Sequence, residues 1–403
     1  MNVPKLRFKE FTDVWKEYPL KYFTTPIKRK NINNESDLPL TISSLDGLVD
    51  QRTYFNKVVA SKDMSNYYLL KKGEFAYNKS YSVGFPFGSI KRLDKYNQGA
   101  LSSLYICFQV NNMNSDFIVK YFESPQWHKQ ISLCVAEGAR NHGLLNVNIN
   151  DFFSTKHFLP QLAEQEKIAN FLAIVDKKII NLENTITSLE NQKKGLLQQI
   201  FSQKLRFKDK NGNNYPNWEK KKLGDIGSFS RGGNLSKSDL SKKGTSCILY
   251  GELYTYYNEF ATEIKSKTLN TTNLVLSKKY DVLLPLSGET AEDISTCTCI
   301  FFDDIALGSD LLIFRSSFFD GRFMSLLLKY KYKYKIAQIA QGKSIVHISE
   351  KNIKNINIKI PCIEEQQNIA DFILIFTKKL ENQKAQLEHW KQIKKGLLQQ
   401  MFV

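Results

Sequence analysis

The sequence of 403 residues lacks the features that mark export, membrane insertion or a metal centre. The opening segment MNVPKLRFKEFTDVW has no apolar stretch of a signal peptide, and no window approaches the roughly 18 consecutive apolar residues of a spanning helix. The six cysteines form no CxxC pair, and Cys297 and Cys299 lie in the apolar segment STCTCIFF, which is typical of buried thiols in a reducing cytosol. The five histidines fall at no metal-ligand spacing. We therefore expect a cytoplasmic protein without a metal site.

Acidic residues are also fewer than basic ones. The chain has 57 Lys and Arg against 40 Asp and Glu, a net charge of +17, which favours a polyanionic partner, with nucleic acid ahead of a membrane surface. A lysine-rich surface that serves only solubility is the alternative. With 42% hydrophobic residues, the chain can build packed cores, and its length suits roughly two or three domains.

One segment occurs twice. KKGLLQQIF at Lys193–Phe201 returns as KKGLLQQMF at Lys394–Phe402, 201 residues later. The same shift aligns the whole of Pro160–Phe201 with Pro361–Phe402 without a gap. Such a match indicates an internal duplication, and the equal length of the two copies points to a conserved helical register.

Both copies carry a heptad seam. Mostly apolar residues recur at alternating steps of four and three. In the first copy these positions are Ile168, Leu172, Val175, Ile179, Leu182, Ile186, Leu189, Lys193, Leu196 and Ile200, and in the second they are Ile369, Ile373, Phe376, Leu380, Gln383, Leu387, Trp390, Lys394, Leu397 and Met401. We predict a helix from about 164 to 200, ~55 Å long, paired with its copy. The polar seam positions Lys193, Gln383 and Lys394 can set the register of a coiled coil. Two unrelated helices on separate domains are the alternative.

The repeat extends beyond the helices. Lys5–Lys9 and Lys204–Lys208 both read KLRFK, and a tryptophan follows each of them, Trp15 and Trp218. The order is thus motif, globular part, helix, and the same again. A third motif would be due after the last helix, and it stands at the N-terminus instead. We therefore predict a closed arrangement in which the two termini are adjacent.

The two globular parts, about 20–159 and 220–360, are alike in outline and divergent in sequence. ALSSLYICFQV resembles ALGSDLLIFRS, and YLLKKGEFAYNK resembles LVLSKKYDVLLPLS. Alternating apolar runs such as LYICFQV predict strands, whereas DFIVKYFESPQWHKQI and FMSLLLKYKYKYKIAQI predict helices. Each part is therefore expected to be mixed α/β within an α+β protein. A common scaffold with different surface residues is what two readers of different targets would show.

Loops between these elements carry side chains that bond base edges or phosphates, with glycines that let the backbone approach a duplex. For any single residue an ordinary solvated loop is the alternative. The predicted DNA-binding residues are Ser44, Arg52, Lys79, Ser80, Lys91, Arg92, Arg140, Asn141 and His142 in the first part, and Arg231, Lys237, Tyr250, Glu252, Tyr254, Ser287, Thr290, Lys343, Ser344 and His347 in the second.

Catalytic motifs are weak or absent in the sequence. AQIAQGKS at 337–344 fits a relaxed phosphate loop, but it follows a basic segment of helical character rather than an apolar strand, so we expect Lys343 and Ser344 to meet a DNA phosphate instead. No Asn/Asp-Pro-Pro-Tyr/Phe methylation motif, glycine-rich cofactor loop or nuclease motif is evident. The sequence leaves three functions open: a non-catalytic DNA-recognition subunit, an enzyme that itself cuts or methylates DNA, and a coiled-coil scaffold that does not read DNA. The charge and the two loop-bearing parts favour the first.

The whole layout resembles the specificity (S) subunits of type I restriction–modification enzymes. The likeness rests on the PKLRF…W opening, on LPQLAEQEKIANFL…KK…KKGLLQQ and its second copy, and on two divergent parts between them. It implies two similar mixed α/β target recognition domains, at 1–160 and 204–361. It also implies two long helices, at 161–203 and 362–403, that form an antiparallel coiled coil in a pseudo-twofold cyclic arrangement.

The resemblance further implies a non-catalytic chain that binds double-stranded DNA, each domain reading half of a split site. Helices would set the spacer and dock two methyltransferase (M) subunits, through Gln165, Lys178, Lys194, Gln366, Lys379 and Lys395. Motor-nuclease (R) subunits would complete an adenine methyltransferase and ATP-dependent endonuclease. The chain itself would hold no cofactor, since S-adenosylmethionine, ATP and Mg²⁺ are expected on the partners. The recognition subunit of a related two-part type II restriction–methylation enzyme is the alternative.

Overall fold

Contacts divide the chain into two compact units. The first unit comprises Met1–Asn184 and Ala385–Val403, and the second comprises Thr185–Lys384. The computed structural model describes residues 3–57, 59–135, 145–342 and 345–403. Of the predicted DNA-binding residues, Arg140, Asn141, His142, Lys343 and Ser344 lie outside the described residues.

The first unit combines short strands and helices before the first long helix. Its strands are β1 (Lys16–Pro19), β2 (Thr24–Pro26), β3 (Pro39–Ser43), β4 (Gly47–Asp50), β5 (Tyr68–Lys71), β6 (Phe75–Asn78), β7 (Ser89–Arg92), β8 (Gln98–Leu101), β9 (Ile106–Val110) and β10 (Lys156–Leu159). Its helices are α1 (Leu20–Phe23), α2 (Gln51–Phe55), α3 (Ser115–Glu123), α4 (His128–Cys134), α5 (Ile149–Ser154) and α6 (Leu162–Phe201), whose last part belongs to the second unit.

The second unit repeats this composition. Its strands are β11 (Glu219–Lys222), β12 (Ser228–Arg231), β13 (Leu240–Ser241), β14 (Thr245–Ile248), β15 (Phe260–Ala261), β16 (Ser266–Thr268), β17 (Val275–Leu276), β18 (Val282–Pro285), β19 (Ser287–Gly288), β20 (Thr298–Ile300), β21 (Ala306–Leu307), β22 (Leu311–Arg315), β23 (Val346–His347) and β24 (Asn357–Ile360). Its helices are α7 (Glu252–Thr255), α8 (Ala291–Ile294), α9 (Gly321–Tyr330), α10 (Lys333–Gln338), α11 (Glu350–Lys354) and α12 (Ile363–Gln400). Short 3-10 turns occur at Ile32–Asn34, Leu223–Asp225 and Lys237–Asp239.

The sheets of the two units have the same topology. In the first unit the strand orders are β2-β9-β6-β7 and β4-β3-β8-β5, and in the second they are β12-β22-β18-β20-β15 and β13-β16-β14-β21-β17. The order β2-β9-β6-β7 corresponds to β12-β22-β18-β20, and β4-β3-β8-β5 corresponds to β16-β14-β21-β17. The second correspondence includes one parallel pair in each unit, β3 with β8 and β14 with β21. Strands β13 and β15 are edge additions in the second unit. The predicted duplication of an α/β scaffold is confirmed.

The repeated nonapeptide ends each long helix inside a hydrophobic core. In the second unit Leu197, Ile200 and Phe201 of α6 join the core that contains Trp218, and their side chains are nearly inaccessible. In the first unit the equivalent residues, Leu398 of α12 and Met401 and Phe402 just after it, join the core around Trp15, where Phe402 contacts the Trp15 ring edge-on with centroids 6.5 Å apart. Each copy of the motif is therefore a packing element, which explains why the chain carries it twice.

The N-terminal segment closes onto the C-terminal helix. The backbone N–H of Leu6 donates to the carbonyl of Gln400 at 2.9 Å, as Leu205 N–H donates to Gln199 at 3.1 Å in the continuous part of the chain. The two bonds occupy equivalent positions of the repeat. This confirms the prediction that the two termini are adjacent.

The two long helices run antiparallel within each unit. Residue numbers rise along α6 while those of the ion-pair partners in α12 fall. The pairs are Asp176–Lys394 and Glu183–Lys391 in the first unit and Glu190–Lys384 in the second. Most seam positions are buried or half-buried, although near the helix ends Leu197 and Leu398 are buried more completely than the predicted Leu196 and Leu397. The predicted antiparallel coiled coil is confirmed.

The two seam lysines bind acids of the globular parts. Lys193 is buried and pairs with Glu259, whereas Lys394 pairs with Asp176 at 2.7 Å and with Glu123 at 2.9 Å. Burial by itself raises the pKa of Glu259, but the ammonium groups of Lys193 and Lys329 together outweigh it and hold that pKa below its usual range, so the carboxylate stays charged. Lys193 therefore anchors α6 to the globular part of the second unit, whereas Lys394 joins α12 both to α3 and to α6.

A buried carboxylate at the start of each long helix forms a clasp with the preceding segment. In the first unit both oxygens of Glu164 accept from the Arg7 guanidinium at 2.8 Å, and the indole of Trp15 donates to it at 3.3 Å. The second unit has the same clasp, in which Glu365 accepts from the Arg206 guanidinium at 2.6 and 3.1 Å and from the Trp218 indole at 3.3 Å. Both carboxylates are 1% exposed.

We expect Glu365→Ala to lower the free energy of unfolding by about 3–5 kcal/mol, because it leaves Arg206 and the Trp218 N–H without their buried acceptor. Urea denaturation followed by far-UV circular dichroism measures this. The matched control is Glu219→Ala, which breaks an ion pair with Lys221 whose members are 70% and 46% exposed, and we expect a loss of at most about 1 kcal/mol. Equal, small losses for both variants would contradict a structural role for the clasp.

Candidate nucleic-acid interface

A basic cavity of the second unit lies between α6, the α9–α10 region and strands β11 and β24. It has a volume of about 1240 Å³, and none of its described lining residues is acidic. We call it the lysine groove, and its lysines are Lys194, Lys220, Lys329, Lys331, Lys333, Lys335 and Lys359. Tyr330, Tyr332 and Tyr334 alternate with them along the chain. Such a concentration of ammonium groups attracts a polyanion, and the phosphates of nucleic acid fit this chemistry.

Charges in the lysine groove crowd one another. Burial, together with the ammonium groups of Lys359 and Lys335, lowers the pKa of Lys331, whose Nζ also donates to the Phe201 carbonyl and lies 5.3 Å from the Trp218 ring. Like charges held close together are relieved by a bound anion. The groove was missed by sequence reasoning, which interpreted the Lys-Tyr alternation of 329–335 only as a basic helix.

A smaller pocket in the same unit brings together three of the predicted residues. Arg231 at the end of β12, Ser287 in β19 and His347 in β23 line a cavity of about 290 Å³. Asp310, Gln341, Ser349 and Asn352 complete its polar lining, and we call this cavity the polar pocket. The antiparallel pairing of β19 with β23 places Ser287 directly opposite His347, which explains how residues 60 apart in the chain meet.

The lysine groove and the polar pocket are joined by a third opening of about 580 Å³. It shares Lys335 and Asn357 with the lysine groove, and it shares Gln341 and Asn352 with the polar pocket. One side of the second unit therefore carries a continuous depression, basic at one end and lined at the other by hydroxyl, amide and imidazole groups together with Arg231 and Asp310. This arrangement suits a ligand with a charged backbone and polar edges.

Other predicted residues of the second unit lie elsewhere. Glu252 is 6% exposed and accepts hydrogen bonds from the Leu249 N–H at 2.7 Å and from the Ser266 hydroxyl, so its role is structural rather than the predicted DNA contact. Thr290 caps α8 in a capping box with Asp293. The remaining predicted residues are half-buried or exposed and stay predictions: Lys237, Tyr250 and Tyr254.

The first unit has a groove of its own, of about 430 Å³, which we call the first-unit groove. Ser44, Lys91, Phe85 and His128 line one side of it, and Lys391, Lys394, Lys395, Leu398 and Gln399 of α12 line the other. Ser44 Oγ lies 3.2 Å from the hydroxyls of both Ser82 and Ser89. Burial, with the like charges of Lys394 and Lys120, lowers the pKa of Lys91 against the attraction of Glu123. Ser44 and Lys91, both predicted, thus share one concave surface.

Arginines of the first unit are held by acids. Arg92 pairs with Asp94 and with Asp116, each at 2.7 Å, and Arg52 pairs with Asp50 at 3.0 Å. A DNA contact by either guanidinium would have to replace or share these partners. Two further predicted residues, Lys79 and Ser80, are half-buried at the end of β6, where the Ser80 N–H donates to Asn78 Oδ1 at 3.0 Å.

Predicted partner-binding residues fall into two groups. Gln165 and Gln366 are each 1% exposed. Gln165 accepts from the Asn114 N–H and donates to the Pro160 carbonyl, and Gln366 makes the same two bonds with Asp320 and Pro361. The structure gives these glutamines an internal role in place of the predicted contact, because neither presents surface to a partner. The other four are exposed on the helices: Lys178, Lys194, Lys379 and Lys395.

Within the described ranges no helix combines the length and apolar character needed to cross a bilayer. The same residues contain no group of three or more His, Cys, Asp or Glu side chains arranged to hold a metal ion. The side chains that line these cavities offer ammonium groups, hydroxyls, amides and the imidazoles of His128 and His347 to a ligand.

The chain is similar to known proteins of one class. A family model described as a type I restriction modification DNA specificity domain matches residues 215–389. Over 316 residues the chain is 23% identical to the type I restriction enzyme MjaVIII specificity subunit of Methanocaldococcus jannaschii. The aligned region covers 75% of this chain and 73% of the relative. It is 24% identical to the putative MjaX specificity subunit of the same organism, over 70% of this chain and 65% of the relative.

Solved structures show the same fold. The S subunit of a type I restriction–modification system from M. genitalium has a TM-score of 0.58 at 15% identity, over 100% of this chain and 99% of that one. A chain from a study of complex assembly and conformational transition in a type I restriction–modification system has a TM-score of 0.56 at 14% identity, over 95% and 96%. Residues 215–389 thus match the model of a type I restriction modification DNA specificity domain, and most of the chain is similar to specificity subunits of type I restriction–modification systems.

The lysine groove predicts a strong salt dependence of DNA binding. We expect the double variant Lys335→Gln/Lys359→Gln to weaken binding to duplexes of any sequence, and to reduce the slope of log K against log salt by up to about 2, because each phosphate contact contributes about 0.9. Fluorescence anisotropy with a labelled duplex at several salt concentrations measures this.

The control for this pair is Lys16→Gln/Lys21→Gln, which removes the same charge from exposed positions outside the grooves. Its slope should match that of the unmodified chain. Equal slopes for both double variants would show that the lysine groove does not contact the phosphates.

Proposed function

We propose that this chain is a specificity subunit in which each unit reads one half of a split duplex DNA sequence, and that the shared long helices set the distance between the halves. The observation that carries this is the duplication of one scaffold under two unlike surfaces. Strand order, clasp and helix ends are repeated, whereas the first unit presents a serine-lined groove and the second presents the polar pocket and lysine groove. Selection for one continuous site would not require two complete readers.

The charge distribution supports a division of labour within each reader. Lysines supply contacts to phosphates, which hold the protein on any duplex, while base edges are read by groups with directional hydrogen bonds. In the second unit the lysine groove offers the first kind, and Ser287, His347 and Arg231 offer the second. Because the two depressions are continuous, a backbone seated on the lysines would bring base edges to the polar pocket.

We propose that chemistry is supplied by partner chains. Two M subunits would dock on the exposed faces of α6 and α12, where Lys178, Lys194, Lys379 and Lys395 occupy equivalent positions of the duplication. Equivalent surfaces suit two copies of one partner, because each copy can make the same contacts. S-adenosylmethionine would then be held by the M subunits, and ATP and Mg²⁺ by R subunits, in a complex that methylates adenine and cleaves DNA.

Mapping of methylated adenines tests this function directly. In cells that carry this chain and its methyltransferase, we expect adenine methylation at a sequence with two short defined segments separated by a spacer of undefined bases. Long-read sequencing of genomic DNA detects it, and cells with the methyltransferase alone are the control. Methylation at one uninterrupted site, or methylation that does not depend on this chain, would contradict the proposal.

A further inference from the structure

Three side chains in the polar pocket form a hydrogen-bonded chain. The hydroxyl oxygen of Ser287 lies 3.0 Å from Asp310 Oδ2 and 2.9 Å from His347 Nδ1. Ser287 is buried, at 4% exposure, whereas the His347 residue is exposed. The far nitrogen of the ring, Nε2, has no hydrogen-bond partner among the described residues. The chain thus joins a carboxylate, a buried hydroxyl and an imidazole whose outer edge faces the pocket.

Counting protons fixes the tautomer of the ring. A carboxylate can only accept, so the single hydroxyl proton of Ser287 is donated to Asp310. The hydroxyl oxygen must then accept from His347, which places a proton on Nδ1. A neutral imidazole carries one proton, so Nε2 is left as an acceptor. Asp310 therefore determines the polarity of the exposed ring edge, although it does not touch the ring.

The backbone holds this arrangement in place. Ser287 and His347 are paired residues of β19 and β23. On its other side His347 exchanges two backbone hydrogen bonds with Gln341, at 2.8 and 3.0 Å. Asp310 lies in the tight turn before β22, with φ of 56°, and its carbonyl accepts from the Leu286 N–H at 2.7 Å. All three side chains thus project from ordered backbone, which suits a group that discriminates by direction.

We propose that His347 is a specificity-determining residue of the second unit, and that its Nε2 accepts a hydrogen bond from the exocyclic amino group of a base in the major groove, adenine N6 or cytosine N4. This assignment rests on the DNA-reading function proposed above. The major-groove edges of guanine and thymine present acceptors where adenine and cytosine present those amino groups, so an acceptor at Nε2 rejects them. The second half-site should therefore contain one position at which the contacted strand carries A or C.

The hydrogen-bonded chain offers a substitution that reverses the polarity. In Asp310→Asn the amide can donate to the Ser287 hydroxyl oxygen, which frees the hydroxyl proton for His347 Nδ1. The ring then carries its proton on Nε2 and becomes a donor toward the DNA. Ser287→Ala removes the link instead, so the ring adopts either tautomer. Ser266→Ala, which removes a serine–carboxylate hydrogen bond with Glu252 outside the polar pocket, is the matched control.

The experiment selects DNA from a library in which the second half-site is randomised, using the complete complex of this chain with its methyltransferase. At one position we expect the unmodified chain to prefer A or C by about tenfold, near the lower end of what a base-edge contact provides. Asp310→Asn should move that preference toward G or T, and Ser287→Ala should remove it. Other positions, and all positions with Ser266→Ala, should keep their preferences.

A second measurement reads the tautomer without DNA. With histidine-selective ¹⁵N labelling of the full chain, in buffer alkaline enough for a neutral ring, the His347 signals, assigned by their loss in His347→Gln, should show a protonated Nδ1 and an unprotonated Nε2. Asp310→Asn should shift the proton toward Nε2. A proton on Nε2 in the unmodified chain would overturn the inference even if a variant fails to fold.

The outcomes separate the two levels of the proposal. If the unmodified complex selects no split site, the proposed function fails and the inference fails with it. If it selects a split site whose second half is unchanged by Asp310→Asn and by Ser287→Ala, the role of His347 is refuted while the proposed function stands. A preference that changes at several positions together would also refute it, because one ring edge contacts one base pair.

Discussion

The architecture depends on a carboxylate buried in the first turn of each long helix. Glu164 and Glu365 each bind an arginine from the KLRF segment and the indole of the tryptophan that follows it. A buried carboxylate is costly unless its partners are in place, so helix start, incoming segment and tryptophan must assemble together. The next residue along, Gln165 or Gln366, ties the same turn to the beginning of α3 or α9. Two consecutive side chains thus connect the helix to the domain, and both are repeated in the duplication.

The packing of the two long helices explains which parts of the duplicated sequence stayed alike. Each long helix contributes its first part to one unit and its last part to the other, where Leu197, Ile200 and Phe201, or Leu398, Met401 and Phe402, complete a core. Those residues cannot change freely, because a core loses free energy with every lost contact. Loops and sheet ends carry no such constraint, and there the two units diverge into different grooves. A protein that must read different sequences on one frame needs this separation of frame from surface.

Much of the frame was predictable from one sequence because duplication and periodicity are internal signals. The heptad seam gave helix bounds within two residues of Leu162–Phe201, and the KLRFK repeat predicted the closure of Leu6 onto Gln400. Helices of the globular parts were less accurate, since Ser124 and Lys331–Tyr332 interrupt segments that were interpreted as continuous. The site was predictable only in part. Ser287, His347 and Arg231 were chosen by residue type and do share a pocket, but Asp310 joins them only through the fold. Glu252, Gln165 and Gln366 look like surface residues by type, and tertiary hydrogen bonds bury them.

The central claim is that readout resides separately in two units held on one duplicated frame. Exchange of residues 220–360 for the corresponding segment of a specificity subunit with a different known target, followed by mapping of methylated adenines, tests it most directly. Trp218, Arg206 and Glu365 remain outside the exchanged segment, so the clasp of the second unit is kept. The account predicts that one half of the methylated site becomes that of the donor while the other half is unchanged. A change in both halves, or in neither, would contradict it.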